Sequence, residues 1–189
     1  VPVIGDFAAL DRMQRVILAM GGKGPDAEQF RYELLTNCAE AARDALEQSF
    51  IAGIDPYGRP WKALTSRTGH PLRDTGILAS SWTRAGGGKF PLTNDGFIVE
   101  TNLIYATTHQ YGATITAKNS PFLVFFTRGA PTARNKRGDK QWHRLKSVTI
   151  PRRQMIPEEA TGGMGRWGDA VNEEAKAIYQ KWAATIASR

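Results

Sequence analysis

The chain has one cysteine and three histidines, and no apolar run approaches the roughly 20 residues that a bilayer-spanning helix needs. Each scarcity excludes something. Cys38 cannot form an internal disulfide, which fits folding in a reducing compartment, and its place in a helical pattern between Asn37 and Ala39 reads as a small buried apolar residue. His70, His109 and His143 are far apart and no second cysteine accompanies them, so metal-ligand spacing is missing. There is no nucleophile elbow and no HExxH. Gly86, Gly87 and Gly88 are followed by no GK[ST], so they are not a phosphate loop. No basic segment followed by an apolar one suggests a secretion signal, and there is no internal repeat. The expectation is a protein with no cofactor, metal or membrane partner, unsecreted by the ordinary route.

What the chain does hold is ordinary globular material. Its 189 residues are 41% hydrophobic and 23% charged, enough for one domain with a core or one domain with long arms. Lys and Arg number 25 against 18 acids, a net charge of +7. That balance favours an anionic partner, either nucleic acid or an acidic protein ring.

Apolar residues at three- and four-residue steps predict an amphipathic helix from Asp6 to Met20, stopped by Gly21 to Pro25. A second helix runs from Asp26 to about Phe50, with Phe30, Leu34, Cys38, Ala41, Ala45 and Leu46 as its stripe. The turn Asp55-Pro56-Tyr57-Gly58 should send Trp61 back toward that helix. Asp74, Thr75 and Gly76 suit the cap of a short helix leading into a strand from Leu78. A further strand, Gly96 to Thr101, alternates in the strand manner and is expected to form a hairpin with the first. Leu103 to Tyr111 reads as a helix ended by Gly112, with Ile104, Thr108 and Tyr111 on one face.

Two β-rich runs, Phe122 to Thr127 and Leu145 to Ile150, flank a basic arm that carries Arg134, Lys136, Arg137, Lys140, Arg144 and Lys146, one acid and Trp142. Cations interleaved with an aromatic suit phosphate attraction and base stacking, or pairing with an acidic protein face. The glycines from Gly162 to Gly168 read as a hinge. The helix from about Asp169 aligns Val171, Ala175, Ile178, Trp182 and Ile186, and is expected to dock on a neighbouring subunit; residues 1–165 form a single domain and 166–189 this helix. His109, with Asp74 or Ser81, is the one candidate for catalysis. A hydrogen-bonding role at the end of its helix is the simpler reading, so no enzyme is expected.

The order DPYGRPW, LRDTGILASS, IYATTHQYG and IPRRQMIP, between Phe50 and Pro157, resembles the phage virion morphogenesis (tail completion) family of the phage Mu type. Asp55, Gly58, Trp61, Asp74, Gly76, Tyr105, His109, Gln110 and Gly112 carry the likeness. The closing IPRRQMIP departs from the family's Pro-Ala-Arg-Pro-type ending, although Arg152 and Arg153 keep its basic character. The resemblance implies a structural protein of a tailed bacteriophage, acting in tail completion or head-tail joining as a ring-forming neck component. It further implies an α+β fold, with long N-terminal and C-terminal helices packed on a small, mostly antiparallel sheet and a protruding basic loop. The implied partners are further copies in a hexameric ring, adjacent neck, tail terminator or head connector proteins, and phage DNA in the lumen. Assembly in the host cytoplasm and residence in the virion follow. The alternative is a non-specific DNA-binding protein that contacts packaged DNA ends.

Overall fold

The computed structural model describes residues 25–64, 69–82, 90–94, 96–128 and 138–187. The expected helix at residues 6–20, the triglycine, and Arg134, Lys136 and Arg137 lie outside these. Two long helices dominate: α1 (Pro25–Ala52) and, at the other end, α5 (Gly165–Ala187). Proline is tolerated in the first turn, where its missing N–H costs nothing. Gly53, at φ +71°, ends α1 in the left-handed conformation, and the N–H groups of Gly53 and Ile54 return to the Ser49 carbonyl at 2.9 and 3.1 Å.

The two helices run antiparallel against each other. Cys38 Sγ donates to the Val171 carbonyl at 3.8 Å, and Phe30 meets Trp182 edge to face at 5.4 Å. Lys181 and the Trp182 indole N–H both reach the Glu33 carboxylate, which they hold below its ordinary pKa. Ala39 and Ala42 let the backbones approach, and Leu34, Leu46, Trp167, Val171, Ala175 and Ile178 fill the interface. The last helix therefore lies on α1 of its own chain. At its start the Arg166 N–H donates to the Pro56 carbonyl at 2.8 Å, and a Cβ on Gly165 would stand 2.6 Å from that oxygen. The glycine there permits a close approach.

Three short elements complete the body: α2 (Ile77–Ser80), α3 (Ile104–Tyr111) and α4 (Glu159–Gly162). The strand expected from Leu78 is instead α2 and a turn. Ser80 and Ser81 hydroxyls donate to the Ile77 and Leu78 carbonyls at 3.1 and 2.7 Å, which prolongs the helical turn, and Leu78 and Trp82 enter the core four residues apart. The α2 N-cap residue is Gly76, at φ +79°, and the Thr75 hydroxyl accepts the Ile77 N–H at 3.4 Å. Residues 96–101 keep the expected alternation, with Phe97 and Val99 buried and with bridge residues at Phe97, Val99 and Glu100; Phe97 bridges to Leu92. Residues 83–89, where the expected hairpin would have the rest of its first strand, lie outside the described residues.

Between α3 and α4 four strands form two antiparallel pairs. β1 (Ala113–Thr116) pairs with β4 (Ser147–Ile150), and β2 (Leu123–Arg128) with β3 (Lys140–Leu145). Only Lys146 separates β3 from β4, and its carbonyl accepts the Ala117 N–H at 3.3 Å. The pairs are thus successive segments of one bent ribbon, bulged at residues 117–122. The class is α+β, and the long helices find their chief packing partner in each other.

Candidate functional site

Most of the motif residues named above meet in one junction where the Asp55 loop, the end of α3 and residues 152–158 cross. Asp55 is buried; its carboxylate accepts the N–H groups of Tyr57 and Arg59, each at 2.9 Å, and the Arg59 Nε at 2.7 Å. Gly58, at φ +84°, lets this turn close. The loop delivers Trp61 into the core against Phe50, with ring centroids 5.3 Å apart, and its indole N–H donates to the Gln154 carbonyl at 2.8 Å. Tyr57 Oη accepts the Glu158 N–H at 3.0 Å and lies 2.9 Å from the Glu158 and Gly163 carbonyls, to one of which its single hydrogen donates.

Gln110 is the centre of this junction. It is buried, yet its amide makes four hydrogen bonds: Nε2 donates to the Ile156 carbonyl at 2.9 Å and to Glu158 Oε1 at 2.8 Å, while Oε1 accepts the Met155 and Ile156 N–H groups at 2.8 and 3.1 Å. Beside it the Arg153 N–H donates to the His109 carbonyl at 2.8 Å, and the Arg153 guanidinium to the carbonyls of Lys62 and Ala63. Gly112, at φ +73°, passes so near the returning chain that a Cβ would stand 2.9 Å from the Arg152 nitrogen. Residue choice here is explained by holding chain segments together.

The catalytic alternative gains no geometry. His109 Nδ1 is buried without a hydrogen-bond partner, and burial, then the Arg153 charge, push the imidazole pKa down. Ser81 is bonded to the Leu78 carbonyl and to Thr101, while Asp74 is exposed ahead of α2. A concavity of about 250 Å³ beside the Asp55 loop is lined by Arg59, Lys62, Arg152 and Arg153. Three of these cations are engaged, by Asp55, by Glu158 and Gln154, and by the Lys62 carbonyl. Among the described residues no group of three His, Cys, Asp or Glu side chains could hold a metal ion, and no helix is long and apolar enough to cross a membrane.

The second feature is the ribbon. Apart from Gly138, no residue in 111–127 or 138–152 is buried, and neither strand pair packs extensively on a helix. The basic arm is thereby redrawn: Lys140 and Arg144 belong to β3, paired with Arg128 and Val124, and Lys146 sits at the bend before β4. Gln141, Trp142 and His143 complete a ladder with Thr127, Phe126 and Phe125. Val124, Phe126 and Trp142 are 58, 42 and 65% exposed. On α3, which leads into the ribbon, Ile104 is 92% exposed and Tyr105 and Tyr111 also face outward, so the tyrosines do not belong to the core. The face read as α3's stripe is its outer one; Ala106 and Gln110 point inward.

The geometry is that of a body tied by structural hydrogen bonds, with an arm that packs little on the helices. The sequence model of the phage virion morphogenesis family matches residues 10–174, and the chain belongs to that family. Its role is accordingly a structural one in building a phage particle. No curated protein and no solved structure matches.

Proposed function

We propose that the protein is a ring-forming subunit of the neck of a tailed phage, acting in tail completion or head-tail joining. The observation that carries this reading is the ribbon together with the outer face of α3. A two-stranded ribbon is marginal in water unless something covers a face, and here Ile115 and Leu145 on the ribbon and Ile104 on α3 are exposed apolar residues. In a closed ring each subunit covers its neighbour's arm, and sixfold symmetry matches a tail. The adjacent neck, terminator or connector proteins then meet the ring's two surfaces, and the tube of the ring surrounds the DNA. An exchange of α5 between subunits would re-form the same contact on a neighbour's α1.

The test is imaging of the purified protein by negative stain with mass by light scattering. Rings of fixed copy number are expected. A variant in which residues 117–146 are replaced by Asn-Gly joins Thr116 to Ser147, which already face each other, through a two-residue turn. It should fold and stay monomeric, and phage carrying it should accumulate unjoined heads and tails. Wild-type protein that is monomeric at every concentration, or ribbonless phage of normal titre, sinks the proposal.

A further inference from the structure

The two faces of the outer ribbon differ in kind. Pairing sets Val124, Phe126 and Arg128 opposite Arg144, Trp142 and Lys140 on one face, and Leu123, Phe125 and Thr127 opposite Leu145, His143 and Gln141 on the other. The second face is partly satisfied by its own groups: Phe125 stacks on His143 at 5.3 Å, and Thr127 Oγ1 lies 2.7 Å from His143 Nε2. The first is open. Trp142 is 65% exposed and meets Phe126 edge to face at 5.6 Å, and the Lys140 ammonium sits 4.9 Å from the Phe126 ring centroid. Arg144 is exposed beside them, and none of the paired residues on this face is an acid.

Charge narrows the choice of occupant. Residues 113–150 carry eight Lys or Arg and one Asp, which is +7, the whole net charge of the chain. The remaining 17 bases and 17 acids cancel. A second copy on this face therefore adds positive charge to positive charge. A polyanion removes the excess. The exposed indole narrows it again, because a stacking surface gains from unpaired bases, whose faces a duplex hides.

We propose that this open face binds single-stranded nucleic acid without sequence preference, stacking a base on Trp142 and pairing phosphates with Lys140 and Arg144. The proposal stands whether or not the protein forms rings, since it rests on the ribbon alone.

The experiment is fluorescence anisotropy of the full-length protein with labelled oligo(dT) of about 20 nucleotides, long enough for a site of this type, and with a duplex of equal length, from 50 to 200 mM salt. The expected result is salt-sensitive binding, tighter to oligo(dT). Lys140→Ala with Arg144→Ala should lessen the slope of log K against log salt by about 1.4, at about 0.7 for each phosphate no longer neutralised. Trp142→Ala should weaken oligo(dT) binding by about 5- to 150-fold at unchanged slope, as stacking of one base requires, while Trp142→Phe retains most of it. Lys176→Ala, on α5, should change nothing. Circular dichroism checks each variant; if Trp142→Ala unravels the arm, Trp142→Phe and the double variant decide. Absence of salt-sensitive binding, or duplex bound as tightly as oligo(dT) with Trp142→Ala inert, overturns the proposal. So does a Trp142→Ala protein whose oligomer dissociates, by light scattering of the same samples, when the parent protein binds no DNA.

Discussion

Gln110 shows how much one side chain decides here. In Gln110→Glu the acceptor oxygen survives, but the second oxygen confronts the Ile156 carbonyl and the Glu158 carboxylate where an amide had donated to both. The cost should be about 3 kcal/mol or more at pH 7, and a melt at pH 4.5 should recover part of it, because protonation restores one donor. His109 has the opposite relation to acid. Its pKa lies below the ordinary 6.5 when folded, so the unfolded chain binds the proton more readily. Stability from this group is complete above about pH 6.5 and is lost as pH falls through the lower folded value; His109→Gln should flatten that part of a stability-versus-pH curve. Cys38, buried and near Glu174, has its thiol pKa pushed up to about 12, and should resist alkylation until the protein unfolds. That burial was legible in the sequence, since cysteine on an apolar stripe is ordinary core material. Gln110's role was not, because three of the amide's four hydrogen bonds go to backbone groups some 45 residues away, which carry no side-chain signature.

At the scale of elements, the long helices were readable from periodicity alone. Val171, Ala175, Ile178 and Trp182 do form the inner face of α5, and α1 buries Leu34, Cys38 and Leu46 as expected, with Leu35, Ala39 and Ala42 added because it is covered on two sides. Serine was the misleading residue, since Ser80 and Ser81 extend a helical turn; Gly165 marks a close approach to Pro56. The Phe122 and Leu145 runs were recognised as β-rich, but the ladder between them was hidden because Lys140 to Arg144 is too polar to suggest a strand unless both faces meet water. A consequence for α5 can be measured. Ending the chain at Met164 removes the buried side chains of Trp167, Val171, Ala175 and Ile178, the three larger worth about 1.5–3 kcal/mol each, which rivals the whole stability of a domain. The product should lack a cooperative melt by circular dichroism, and Val171→Asp alone should cost about 3–5 kcal/mol. A cooperatively folded truncation product would show that α1 can cover its inner face by other means.

For the molecule as a whole, the sequence yields a neutral body and an arm that holds all the net charge, and family membership sets both in the context of particle assembly. Unassembled protein exposes apolar residues on the ribbon, so Leu145→Lys should raise its solubility while lowering the yield of assembled rings, measured by sedimentation of the same preparations. The arm leaves the body at Gly112 and returns at Arg152, and these two points touch. An insert spliced between them imposes no new separation on its two ends. The position is therefore a natural splice port, where arms of other lengths, or a short tag for locating the subunit within a particle, can be exchanged while Gln110 and Trp61 keep the remainder closed.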